Sequence, residues 1–186
     1  MIKKYIILIS VLILPCFNVK SEEVYLPIEL RINRSSIIVL AKFKGFKWGK
    51  KFYKGEPPPK KNVFEPDKIN AQKVTLFFEL IECLKGKIGK DVIVKTYTHT
   101  YDFVWRSTGF SPRSLKKNQT YICFLIKKYD SIELPSNSSQ YIEKLTALTI
   151  HRRMDSGNQI IEKQLSKDQY ISYIKEYIKN KKSNTN

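Results

Sequence analysis

Cysteine, histidine and glycine are all scarce in this chain of 186 residues, at three, two and seven respectively. Three cysteines exclude a disulfide-dense miniprotein. The glycines form no Gly-x-Gly-x-x-Gly, Walker-type or Gly-x-Ser-x-Gly sequence, which removes the common phosphate cradles and the nucleophile elbow. The two histidines stand far apart, within Tyr97-Thr98-His99-Thr100-Tyr101 and Ile150-His151-Arg152-Arg153. A zinc site needs about three or four closely placed ligands, so no metal is expected, and both histidines are read as structural or solvent-facing. Acids are also few, with 17 Asp+Glu against 34 Lys+Arg. Glu79 and Glu82 fall on opposite faces of one strand pattern and make no catalytic dyad. A Cys–His nucleophilic pair is formally open, but both later cysteines sit in apolar runs. Neither an enzyme nor a cofactor is expected.

What is present is a sufficient core and a strong positive charge. Hydrophobic residues make up 42% of the chain, which suits one domain of this length and excludes a disordered or collagen-like chain. The net charge of +17 favours anionic partners through long-range attraction. Only six of the bases are Arg, and Ile, Asn and Tyr are plentiful, so the lysine excess also fits an AT-rich genome with no ligand behind it.

The first 21 residues read as a secretory signal peptide. Ile2-Lys3-Lys4 is a positive start, Tyr5 to Leu14 is apolar except for Ser10, and Val19-Lys20-Ser21 offers a cleavage site before Glu22. The apolar run is short for a bilayer span, although an uncleaved anchor is the other reading. Cleavage takes away three lysines and no acid, changing +17 to +14. Leu14-Pro15-Cys16 offers a minority reading as a lipoprotein anchored at Cys16, against which Pro15 stands where a small residue is usual. The expected location is therefore periplasmic or secreted. In such a compartment Cys83 and Cys123 are a possible disulfide, or two ordinary buried thiols.

Along residues 22–186 the expected fold is mainly β, a small five-stranded OB-like barrel with a C-terminal amphipathic helix. The strands are read at Ser36–Phe43, Val74–Cys83, Val92–Tyr97, Tyr121–Ile126 and Leu145–Ile150. Lys85–Lys90 is a glycine-punctuated turn. Lys44–Lys73, with Gly45, Gly49, Gly55 and Pro57-Pro58-Pro59, is read as a long polar connection. Asp102–Gln119 and Asp130–Ser139 are further irregular stretches. The helix is read over 166–180, with Ser166 and Gln169 as a capping box and Tyr170, Ile171, Ile174, Tyr177 and Ile178 on one face.

Val39-Leu40-Ala41-Lys42-Phe43, Val74 through Leu84-Lys85-Gly86, Val92-Ile93-Val94-Lys95-Thr96 and Leu115 through Tyr121-Ile122-Cys123-Phe124-Leu125 follow one another in a familiar order. This order resembles the bacterial relatives of tissue inhibitors of metalloproteinases, the netrin-like OB-fold domains, over Ser36 to Arg153. The resemblance implies an OB-type fold and a protein partner such as a protease. Members that inhibit through zinc use an N-terminal Cys in a Cys-x-Cys motif. A chain beginning Glu22-Glu23 has none, and Ser107-Thr108-Gly109-Phe110 stands where another Cys is usual. The resemblance therefore implies the fold and argues against zinc-chelating inhibition.

The sharpest functional feature is the stretch 42–61, which carries eight lysines against the single acid Glu56. Phe43, Phe46, Trp48, Phe52 and Tyr53 are interleaved among them. Lysines neutralise a polyanion while aromatic faces stack on bases or sugars or enter a membrane interface. The expected ligand-binding residues are Lys44, Lys47, Trp48, Lys50, Lys51, Phe52, Tyr53 and Lys54. The expected partner is an anionic envelope polymer or membrane surface, nucleic acid less so. The competing reading is a solvated lysine-rich loop. Tyr97, His99 and Tyr101 form a second candidate strip, followed by Trp105-Arg106, which is binding surface if exposed and core if buried. The sequons at Asn33, Asn118 and Asn137 carry meaning only in a eukaryotic secretory route.

Overall fold

A computed structural model describes residues 26–52, 71–99, 111–135, 139–154 and 160–183. The leader, its cleavage site and Cys16 lie outside these residues, as do Tyr53, Lys54, Tyr101 and Trp105-Arg106. The chain enters through a short helix, α1 (Ile28–Arg34), and continues into β1 (Ile37–Phe52), β2 (Ala71–Lys85) and β3 (Asp91–His99). A single 3-10 turn at Pro112–Ser114 precedes β4 (Thr120–Lys128) and the short β5 (Ser131–Glu133). A second turn at Ser139–Tyr141 leads to β6 (Ile142–Lys144), β7 (Leu148–Met154), β8 (Ile160–Ser166) and the helix α2 (Lys167–Ser183).

The first five strands close on themselves in the order β1-β2-β3-β5-β4, and β4 returns to β1. Every neighbouring pair is antiparallel except β3–β5. This is a closed five-stranded, OB-like barrel followed by a C-terminal helix. Closure pairs both edges of β1 up to Lys42, and beyond it β1 is paired with β2 alone. Strand alternation explains the filling: Val74, Leu76 and Phe78 on β2 and Val92 and Val94 on β3 point inward and are buried. On β4 the apolar run Tyr121–Leu125 is buried throughout. β6 extends the free side of β4, and β7–β8 forms a separate two-stranded ribbon.

The ribbon and both helices pack together on the barrel. Two strands alone are marginal in water, and here α2 covers one face with Tyr170, Ile171, Ile174 and Ile178 buried. The capping box forms as expected: Gln169 N–H donates to Ser166 Oγ at 3.3 Å, and Ser166 N–H donates to Gln169 Oε1 at 2.9 Å. The helix starts at Lys167 and runs to Ser183, three residues beyond the expected end.

One buried cation ties these pieces together. Arg31, 1% exposed, donates from Nη1 to the Gln140 carbonyl at 2.8 Å and to Glu143 Oε2 at 2.9 Å, and from Nη2 to Tyr170 Oη at 3.3 Å. Tyr170 Oη–H in turn donates to Glu143 Oε2 at 2.7 Å, and the guanidinium lies 4.9 Å from the centre of the Phe124 ring.

Four expectations are corrected by the strands themselves. β1 does not end at Phe43 but runs to Phe52, so the polar connection expected from Lys44 is strand over its first nine residues. Lysines and glycines hid a strand whose inner positions, Phe46 and Trp48, are aromatic. β2 correspondingly begins at Ala71, before the expected Val74. The expected fifth barrel strand, Leu145–Ile150, overlaps instead with β7 of the separate ribbon from Leu148, the fifth barrel strand being the short β5 inside the stretch expected to be irregular. The partner β8 was not foreseen, because Glu162, Lys163 and Gln164 give it a polar, exposed pattern. Cys83 and Cys123 are free. Both register with Val39, from strands on its two sides. Two strand spacings, roughly 9–10 Å, separate them, beyond the ~7 Å that a disulfide spans.

Gly86 is the glycine that the turn after β2 requires. Its φ is +82°, and a Cβ there would sit 2.6 Å from the Ser36 carbonyl oxygen.

Candidate anion-binding face

Beyond Phe43 the strand β1 leaves β4 and continues beside β2 alone. A bulge at Phe43/Gly45 resets the alternation. Phe46, opposite Leu76, and Trp48, opposite Val74, then lie on the inward side. Lys47, opposite Thr75, lies on the outer side, where Thr75 in turn faces Lys95 of β3. The next outer row pairs Lys73 with Tyr97. The row on the other side holds Gly45, Phe77 and Ile93.

Among the described residues of this stretch, the aromatics Phe43, Phe46 and Trp48 and the lysine Lys47 therefore do not share one surface. Trp48 is 36% exposed, packs edge-to-face on Phe46 at 5.4 Å, and has the Arg113 guanidinium 6.0 Å from its ring centre. It covers the end of the barrel core. Lys44 is held by Glu79 in a 2.5 Å ion pair, and the Lys44 ammonium keeps that carboxyl below its usual range. Lys50 and Lys51 are exposed beyond a second irregularity at Trp48/Lys51. Phe52 ends the strand.

Lysines that sequence reasoning passed over join Lys47 on this outer face. A cleft of about 580 Å³ is lined by Lys73, Lys95 and Tyr97, and on its far wall by Lys128, Glu133 and Pro135. The β3–β5 pairing sets Lys95 beside Glu133, and the β4–β5 pairing sets Ile126 across from Glu133. A second depression of about 430 Å³ lies around Phe77 and Ile93. There Lys44 and Lys90 are balanced by Glu79 and Asp91, so it has no net preference for an anion. Tyr97 had been singled out only as part of a strip with His99 and Tyr101. The signal for Lys73 and Lys95 was the period-two pattern of β2 and β3, which gives a face for each strand but no register between them.

His151 is not brought into this face. His99 ends β3. His151 lies on β7, 6% exposed, with its ring 4.4 Å from that of Tyr173 and 6.3 Å from that of Tyr170. Its Nδ1 has no hydrogen-bond partner among the described residues. Burial lowers its pKa, opposed by Glu29 and Glu143 and reinforced by Arg153 and Arg31. Because the folded His151 resists the proton that the unfolded chain accepts near 6.5, stability falls as the pH drops through that value. The loss is at most about 1.4 kcal/mol per pH unit. Thermal unfolding at pH 7.5 and 5.5 should show a lower midpoint at pH 5.5. His151→Phe should shrink that difference, and an unchanged difference would exclude His151 as its source. Among the described residues no group of His, Cys, Asp and Glu is placed to hold a metal, and no helix is long and apolar enough to cross a membrane. No family model, curated protein or solved structure matches the chain.

Proposed function

We propose that this chain is an exported, non-enzymatic binding module of the cell envelope or extracellular space that engages an anionic polymer through the outer face of β1, β2 and β3. The observation that carries the reading is the convergence of Lys73, Lys95 and Lys128 from three different strands around one cleft, with Lys47 in the same cross-strand row as Lys95. Cations gathered this way act on a polyanion together, and their attraction extends over the ~10 Å Debye length of dilute salt. The net charge of +17 supports the same reading. Lys50 and Lys51, both exposed, add positive charge further along β1.

The test is a salt titration of the purified chain on heparin, double-stranded DNA and lipopolysaccharide, beside a Lys47→Gln/Lys73→Gln/Lys95→Gln variant. The wild type should weaken steeply with ionic strength. On DNA the variant should lose about 3 units of the log–log salt slope, roughly one for each lysine removed. Equal slopes for both proteins, with both folded, would remove this face from the reading.

A protein-interaction or protease-inhibitor module of the netrin-like kind is the second reading. It is favoured by the exposed Leu148 (63%) and Ile150 (45%) on the outer side of the β7–β8 ribbon. An apolar contact of that kind should change little with salt, which separates the two.

A further inference from the structure

Glu133 is out of place in a cleft built for anions. It stands beside Lys95 in the β3–β5 register and shares the cleft with Lys73 and Lys128. One of its oxygens, Oε1, accepts a hydrogen bond from Ser131 Oγ at 2.8 Å. Among the described residues no ion pair joins it to Lys95 or Lys128. A carboxylate so placed repels a ligand made of negative groups alone, yet its remaining acceptor sites suit a ligand that also carries hydroxyl donors. The walls add a second feature. Tyr97, Pro135 and Ile126 are each half-buried and offer flat apolar surface between the charges. The volume of about 580 Å³ lies within the range of pockets that enclose a small ligand or one segment of a polymer.

Resting on the anion-binding reading above, we propose that the cleft takes an acidic saccharide. In this arrangement the acidic groups of the polymer meet Lys73, Lys95 and Lys128, ring hydroxyls donate to Glu133, and the C–H faces of the rings lie on Tyr97 and Pro135. A bare polyphosphate supplies no hydroxyl for Glu133 and no ring for Tyr97. The acceptor among the lysines thus selects for sugar over charge alone, because the wrong anion brings no donor to this half-buried carboxylate.

Binding of the full chain to polygalacturonate and to inorganic polyphosphate at one ionic strength, with Glu133→Gln and Lys95→Gln variants, tests this. The readout is the ratio of the two affinities, which cancels the general gain from removing a negative charge. Glu133→Gln should lower the polygalacturonate-to-polyphosphate ratio about tenfold, the scale of one charge-assisted hydrogen bond. Lys95→Gln should weaken both probes and leave the ratio nearly unchanged. If Glu133→Gln strengthens both probes equally, the carboxylate only repels, and the saccharide is overturned while anion binding stands. If Lys95→Gln changes neither probe, the anion-binding reading fails with it. Far-ultraviolet circular dichroism and the unfolding midpoint of each variant establish that a loss of binding is not a loss of fold.

Discussion

Arg31→Ala lowers the unfolding free energy by about 3–5 kcal/mol, the cost of breaking a buried ion pair from one side. Removal of the guanidinium leaves the Gln140 carbonyl and Glu143 Oε2 without their strongest donor, and takes the charge from above the Phe124 ring. Glu143 keeps the Tyr170 hydroxyl, 2.7 Å away, but loses its cation. At this chain length 1 kcal/mol corresponds to roughly 2–4 °C, so the thermal midpoint falls by about 6–20 °C. Arg31→Met separates charge from volume. If the methionine variant recovers most of the loss only when Glu143→Gln is added, the penalty is the stranded carboxylate. If alanine costs under about 1 kcal/mol in urea unfolding, the network is not the clamp between α1, β6 and α2 described above.

Phe43→Ala has a similar expected cost, about 3–5 kcal/mol for a buried aromatic ring and the cavity it leaves. The ring sits where β1 parts from β4, 5.3 Å from Phe78 and 6.4 Å from Tyr121. The backbone there is equally committed, since Phe43 N–H donates to the Gln119 carbonyl at 2.9 Å and Asn118 N–H donates to the Phe43 carbonyl at 2.8 Å. The next residues form the bulge that turns Lys47 outward. Phe43→Ala should therefore weaken polyanion binding at temperatures where the variant is still folded, and Phe43→Leu should restore most of both properties. Binding that survives intact in a folded Phe43→Ala protein would show that the basic face does not depend on this anchor.

The barrel was readable where burial wrote a pattern. Val74–Cys83, Val92–Tyr97 and Tyr121–Ile126 carry the alternation or the continuous apolar run of buried strands, and each lies within an observed strand. β8 was not readable, because Ile161, Glu162, Lys163 and Gln164 are all exposed and leave no contrast between its faces. The candidate face shows a different limit. Lys47 could be placed in a basic segment, but its partner Thr75 comes from a β1–β2 register shifted at Ile38/Val39, Leu40/Ala41 and Phe43/Gly45, and Lys95 from the register of β2 with β3. Bulges depend on what the strand meets in three dimensions. Glycine and lysine near Phe43 and Trp48 suggested a loop when the segment was read alone, whereas Leu76 and Val74 across the sheet hold it extended.

The clamp around Arg31 also bears on when the molecule becomes itself. Tyr170 lies 139 residues after Arg31, and Glu143 lies 112 residues after it. Other ties are as remote: Asn33 to Tyr177 spans 144 residues and Lys181 to Asn33 spans 148. Contacts so distant along the chain form late, because loop closure must come before they are gained. A growing chain that has made its barrel strands and β6 can pair Arg31 with Gln140 and Glu143, but it lacks the Tyr170 hydroxyl until the last helix emerges. The closing of the first element on the last therefore waits for α2, and a chain cut short before Tyr170 should lack these ties.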